Sequence, residues 1–273
     1  MATLEIGVLV NLSDKVEESL QKVTDLGLRA CQICSWQPDQ WTDERADMLR
    51  ARADAAGVKI ATFWAGYTGP CEWNFYGGPK TIGLVPDAYR AARVAELKKA
   101  ADFAARAKIG SITTHVGFLP EDPNDPLFIA TVVALREIAT HCKSKGLDFL
   151  FETGQETPVN LLRTIEEVGT GNLGINLDPA NLILYGKASP VDALEVFGKH
   201  VRQMHAKDGL YPTNGKELGH ETPLGEGLVN FPRLMAKLKS LGFNGVVAIE
   251  REISGPKQTE DIKKGIALLK PLC

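Results

Sequence analysis

Five consecutive apolar runs in this chain each close on a polar side chain with chemical potential. "GSITT" leads into His115, "LDFLF" into Glu152 and "LGINL" into Asp178. "VRQM" leads into His205, with Lys207 two residues on, and "GVVAI" leads into Glu250. Any one of them reads equally well as a strand end meeting solvent or capping a helix. Five in succession are harder to explain that way. Three carboxylates gathered at one place would repel, and each would resist ionisation. A cation removes the conflict. Glu152, Asp178, His205 and Glu250 offer three oxygen donors and one imidazole, which suits one hard divalent ion. Mn2+ is the first expectation, Mg2+ the next, with Co2+ and Zn2+ as further candidates. Coordination positions left over would take substrate oxygens. If His205 points inward, period-two alternation turns Lys207 inward too. An inward ammonium there would bind a substrate oxygen or take part in proton transfer. The alternative is a salt bridge to Asp208 or another rim carboxylate.

The elements that must position these residues alternate along the chain. "EIGVLV" (Glu5–Val10) precedes a helix opened by Ser13 or Asp14 and closed at Gly27. "LRACQICSW" precedes a helix from Thr42 to Ala56, and "VKIATFW" precedes one from Asp87 to Ala107. The later runs precede helices at Pro126–Lys145, Pro158–Val168, Pro190–Lys199, Phe231–Leu241 and Gln258–Leu269. Strands alternating with helices imply a parallel sheet. Eight such pairs within one domain's length, residues 1–273, predict the α/β class and a single (β/α)8 barrel. An open doubly wound sheet is disfavoured, because the first strand–helix turn, "VLVNLSDK", has no glycine-rich phosphate fingerprint. Three long connections, Gly66–Pro86, Gly117–Asp125 and Gly209–Asn230, all follow strands. In a barrel they share the C-terminal face, where chemistry collects.

Composition narrows the function classes. The chain has 273 residues, 44% hydrophobic and 24% charged, with a net charge of −3. There is no general electrostatic pull toward nucleic acid or anionic membrane, so neither is expected as a partner. The apolar runs are strand-sized, which excludes a transmembrane span, and "MATLEIGVLVNLSDK" does not read as a signal peptide. Five cysteines without framework spacing suit a reducing cytoplasm. Cys31 and Cys34 form a CxxC, but on a strand they point to opposite faces and no second CxxC completes a zinc site.

Four motifs carry a resemblance: "FETGQETP" (Phe151–Pro158), "GINLDPANL" (Gly174–Leu182), "QMHAKDG", and "PLGEGLVNFPRLMAKLKSLGFNGVVAIERE" (Pro223–Glu252). With them, essentially the whole chain resembles the xylose isomerase-like TIM barrels, the sugar phosphate isomerase/epimerase superfamily. The resemblance implies that Glu152, Asp178, His205 and Glu250 are metal ligands. In the family's ketose 3-epimerases two glutamates face each other across the substrate. Glu152 and Glu250 would take those roles, one removing the proton beside the carbonyl and the other returning it to the opposite face. The expected activity is thus metal-dependent isomerisation or epimerisation of a small sugar or keto-sugar through a metal-stabilised enediolate.

Two departures point elsewhere in the superfamily. The epimerases carry a histidine where this chain has Asn181, and their pattern lacks the Lys207 of "HAKD". Both resemble the branch acting on inososes and keto-glycosides, where proton abstraction ends in loss of a leaving group. A lyase or dehydratase is therefore the alternative, and a non-catalytic sugar-binding or partner subunit a second one. The endonuclease branch is disfavoured, because it needs a histidine-rich three-metal site and a basic footprint, whereas this chain has five histidines in all and an acidic mouth. The remaining substrate-binding candidates are His115, Asn181, Glu156 (beside Gln155), Trp64 and Arg251. Trp64, Trp36 and the aromatic loop "GYTGPCEWNFYGG" suit a sugar-stacking wall and lid, or equally a packed barrel top or the interface of a homo-oligomer.

Overall fold

The computed structural model describes residues 4–273. The first half runs β1 (Glu5–Asn11), α1 (Val16–Asp25), β2 (Ala30–Ser35), α2 (Asp43–Ala56), β3 (Lys59–Ala65), α3 (Gly78–Thr81), α4 (Asp87–Arg106), β4 (Ser111–Thr114) and α5 (Pro126–Ser144). It continues with β5 (Asp148–Glu152), α6 (Pro158–Val168), β6 (Leu173–Leu177), α7 (Pro179–Leu184), α8 (Pro190–Phe197) and β7 (Val201–Ala206). It ends with β8 (Asp208–Leu210), β9 (His220–Thr222), α9 (Phe231–Ser240), β10 (Val246–Ile249) and α10 (Pro256–Leu269). Eight parallel strands close in the order β1-β10-β7-β6-β5-β4-β3-β2, a TIM barrel of the α/β class. The short pair β8–β9 stands outside it as an antiparallel hairpin.

Alternation gives the barrel its two faces. The outward face carries bulky residues such as Ile33, Phe149, Ile175 and Ile249, buried in one large core under the helices. A separate small cluster of Ala30, Ala61, Val246 and Ala248 lies elsewhere. Val246 and Ala248 share the parity of Glu250, so this cluster is the barrel's inner floor. Gly7 lets that floor close: a Cβ there would stand 2.8 Å from Val246 Cγ1 and 2.9 Å from the Ala30 carbonyl.

Several helices begin and end at clear caps. Thr42, Asp125 and Thr157 accept from backbone N–H groups at the starts of α2, α5 and α6, and Gly57 and Gly169 end α2 and α6 in the left-handed region. Ser13 and Asp14 do not cap α1, which starts after Lys15. Ser19 instead ties the turn, donating to the Asn11 carbonyl at 2.7 Å and accepting from Ser13 N at 3.1 Å. β7 stops at Ala206, and Asp208 opens the hairpin. The connection after it is therefore ordered rather than open loop. Asp208 organises it by accepting from the backbone of Gly209, Gly225, Gly227 and Val229. Pro179 ends β6 yet also begins α7 as its first residue.

The loop after β3 is held by one side chain. Arg93, fully buried on α4, donates to the carbonyls of Thr68, Pro70, Thr81 and Gly83 at 2.7–3.2 Å. Its guanidinium lies 4.2 Å from the Tyr67 ring and 4.7 Å from the Tyr89 ring. The loop is thus a fixed wall over the barrel mouth. Arg93→Met should cost roughly 2–4 kcal/mol in urea unfolding, because four buried carbonyls lose a charged donor. Hydrogen exchange should show lost protection concentrated in residues 66–86.

Candidate active site

The ends of four barrel strands meet at one point. Glu152 is the last residue of β5, Asp178 and Glu250 directly follow β6 and β10, and His205 is next to last in β7. One ligand atom from each lies within 4.8 Å of all the others. Glu152, Asp178 and His205 are buried, and Glu250 is nearly so. His205 Nδ1 stands 3.0 Å from Glu152 Oε1 and 3.2 Å from Glu250 Oε2. Lys207 Nζ stands 3.5 Å from Asp178 Oδ2, 3.4 Å from Glu250 Oε2 and 2.8 Å from Glu252 Oε1.

The protein's own cations only partly satisfy these carboxylates. Burial raises the Asp178 carboxyl, and the Glu250 and Glu152 charges add to this against Lys207. Burial also works against Glu250, but Lys207 and His205 outweigh it and hold that carboxyl below its ordinary range. His205 and Lys207 are each penalised by burial, yet the carboxylates around them raise both well above their ordinary values. Asp178 Oδ2 and Glu250 Oε2 remain buried without a hydrogen-bond donor of good geometry. Orphaned acceptors, three carboxylates and an imidazole converging in a dry space fit a divalent cation, and these four residues have the chemistry to hold one.

Two residues behind the cluster were not singled out from sequence. Gln32 Oε1 lies 2.8 Å from His205 Nε2, and Gln32 Nε2 donates to Asn176 Oδ1 at 2.9 Å. All three side chains are fully buried. The Gln32 carbonyl makes Nε2 the protonated nitrogen of the neutral ring and leaves the Nδ1 lone pair facing the carboxylates. The only signal was a lone amide of inward parity in "ACQICS" and in "LGINL". Trp64, a candidate from the sequence, lines the site and also donates its indole N–H to Glu152 Oε2.

Above the ligands lies a cavity of about 330 Å3. Trp36, Trp64 and Trp73 form one wall, Leu184, Tyr185 and Leu218 another, and His115 and Asn181 also face in. His115 Nε2 is 3.7 Å from Glu152 Oε1, and burial lowers its pKa despite the carboxylates nearby. Asn181 takes the fourth position of the turn capped by Asp178: its N–H donates to Asp178 Oδ1 at 2.9 Å, while its Oδ1 receives Lys207 Nζ at 3.3 Å. His220, in the hairpin strand β9, is exposed.

Two candidates lie apart from the cavity. Arg251 pairs with Glu221 at 2.9 Å and Asp261 at 3.0 Å and faces a neighbouring cleft. It follows Glu250 directly, so alternation turns it away. Glu156 is buried, with Oε1 unpartnered, and burial pushes its carboxyl up to about 7.

The family profile of the xylose isomerase-like TIM barrels matches residues 20–272. The chain belongs to this family. A xylose isomerase domain protein from Planctomyces limnophilus superposes with a TM-score of 0.94 at 36% identity, over 99% of this chain and 98% of that one. A 3-keto-D-glucoside 4-epimerase from E. coli shares the fold at 14% identity, with a TM-score of 0.73 over 98% of this chain and all of that one. An uncharacterized protein of Methanocaldococcus jannaschii is 33% identical over 172 residues, 58% of this chain and 55% of its own. The chain spans about half the length of the curated relatives it matches. Among the described residues, no helix of this xylose isomerase-like barrel is long and apolar enough to cross a membrane.

Two outcomes follow from the electrostatics. Cation binding must displace the proton that His205 Nδ1 and the carboxylates otherwise share. Calorimetric titration with Mn2+ in buffers of different protonation enthalpy should therefore show proton release. Apparent affinity should weaken as the pH is lowered. The second concerns Glu156, whose folded pKa lies above its unfolded value. Its contribution is fully present below the unfolded pKa of 4.5 and is lost as pH rises through about 7. Glu156→Gln should thus gain on the parent by roughly 3 kcal/mol between pH 4.5 and 8, read by urea unfolding.

Proposed function

We propose that this protein is a divalent-metal-dependent isomerase or epimerase of a small sugar or keto-sugar, working by proton transfer beside a carbonyl. The ion, Mn2+ in the first instance, would be held by Glu152, Asp178, His205 and Glu250. When bound it would act as a Lewis acid toward the substrate's oxygens, making the neighbouring C–H more acidic. The observation that carries the reading is the pair Glu152 and Glu250. They come from strands three apart around the barrel, both touch His205 Nδ1, and both line the same cavity. One glutamate takes the proton from the carbon and the other returns one to the opposite face, so no oxidant or reductant is consumed. His115 and Asn181 line the cavity and are placed to hold substrate hydroxyls, and Lys207, buried behind them, would act through Asn181 and Glu250. The tryptophan wall keeps water from the carbanionic centre. Cytoplasmic placement belongs to the same proposal and rests on five unpaired cysteines.

A second reading, a lyase or dehydratase of a keto-sugar, keto-glycoside or inosose, is favoured by one contact. Lys207 Nζ lies 3.4 Å from Glu250, so an acid stands beside the base and could protonate a departing β-substituent. A non-catalytic binding role gives no reason for three buried carboxylates at one point.

Keto-sugars incubated with Mn2+-loaded protein in deuterated water separate these readings. Epimerisation puts deuterium into substrate and product without loss of mass, while elimination yields a smaller product. Glu152→Gln and Glu250→Gln should each slow either reaction by roughly 10^2–10^4. Absence of exchange or elimination across a broad keto-sugar panel with Mn2+, Mg2+ or Co2+ would contradict the proposal.

A further inference from the structure

The cavity over the four ligands adjoins a second cleft of about 460 Å3 between the C-terminal ends of β1, β2 and β10. The two share Leu9, Cys34, Trp36, Glu250 and Glu252, so they form one continuous trough with Trp36 at the junction. The Trp36 side chain is fixed there although it is 39% exposed. Its ring lies 5.0 Å from Trp64 and 6.2 Å from Trp73, and it is backed by Gly66, where any side chain would collide with it.

The two halves of the trough differ in chemistry. The central half has an aromatic wall, three glutamates, and no lysine or arginine among its lining residues. The second half carries Asn11, Lys22, Arg251, Ser254 and Gln258. These form a preset polar edge: Lys22 Nζ donates to Gln258 Oε1 at 2.9 Å, and Gln258 Nε2 donates to the Arg251 carbonyl at 2.8 Å. Asn11 and Ser254 are exposed. Arg251 is already matched by two carboxylates, and Glu250 and Glu252 stand at the inner end. The cleft therefore lacks the surplus positive charge that a phosphate or carboxylate would need. It offers amide, hydroxyl and ammonium groups beside an indole ring, the combination that fits the hydroxyls and the apolar C–H face of a neutral sugar ring.

We propose that this cleft is a second sugar subsite. The reacting keto-sugar occupies the central cavity, an assignment that rests on the function proposed above. A neutral glycosyl unit joined to it packs on Trp36 and hydrogen-bonds along Asn11, Ser254 and the Lys22–Gln258 pair. The substrate class is then a keto-glycoside or keto-disaccharide, not a free or phosphorylated ketose.

The test is binding of methyl glucosides (α and β) and a panel of neutral glucose disaccharides covering each linkage, to Mn2+-loaded protein, by calorimetry and tryptophan fluorescence. At least one disaccharide should bind about tenfold or more tightly than the methyl glucosides. Asn11→Ala and Ser254→Phe, both at exposed positions, should remove that gain while methyl glucoside binding and Mn2+ affinity stay unchanged. Trp36→Ala should weaken both sugars. No gain for any disaccharide, or a gain that survives Asn11→Ala and Ser254→Phe, would overturn the subsite. Glucose 6-phosphate binding more tightly than the methyl glucosides would overturn the neutral-substrate assignment. The proposed function fails separately, by lack of Mn2+ binding or of exchange on single keto-sugars.

Discussion

Three carboxylates and an imidazole share a dry space in which one atom of each lies within 4.8 Å of the rest. Charges of one sign at that separation, removed from water, are strongly unfavourable unless something positive stands among them. Much of the upper barrel answers this constraint. His205 is wedged between Glu152 and Glu250, and Lys207 reaches Asp178, Glu250 and Glu252. Even so, Asp178 Oδ2 and Glu250 Oε2 receive no hydrogen bond of good geometry from either cation. The protein's own cations fill the flanks of the cluster, and the donors left at its centre have the chemistry to hold a cation.

The barrel supplies what such a cluster needs: rigid supports that do not relax away from one another. β5, β6, β7 and β10 are contiguous in the closed sheet. Their pairing register sets Glu152 level with Asn176 and His205 level with Ala248, so the ligands occupy adjacent layers of the interior. The Gln32–Asn176 pair spans that interior from β2 to β6 and fixes the imidazole's rotation. Arg93 performs a comparable task outside, fastening the loop whose tryptophan helps to wall the cavity. Chemistry at the mouth thus depends on buried polar contacts well below and beside it.

Much of this was legible in the sequence because strand-end residues of a (β/α)8 barrel converge by geometry alone. Glu152, Asp178, His205 and Glu250 each terminate or nearly terminate an apolar run, and period two carried Lys207 inward with His205. The same rule, applied strictly, excludes Arg251, whose odd offset from Glu250 sends it to Glu221 and Asp261. Gln32 and Asn176 were hidden because a single amide within an apolar strand has no local signature; its partners lie 173 and 144 residues from Gln32 along the chain. α7 was missed because Pro179 ends a strand and begins a helix with the same fixed φ. Asp178 adds to the ambiguity, since it directly follows β6, joins the ligand cluster and also caps α7. Asn181, the point at which this chain leaves the ketose epimerase pattern, proves to be tied to both Asp178 and Lys207.

If these four side chains form one cation site, a crystal structure grown with Mn2+, with anomalous scattering recorded at the manganese edge, should show one strong peak per chain, bonded to Glu152, Asp178, Glu250 and His205 through Nδ1, with Nε2 still on Gln32. A peak elsewhere, a histidine ligating through Nε2, or no peak at the cluster would contradict the assignment.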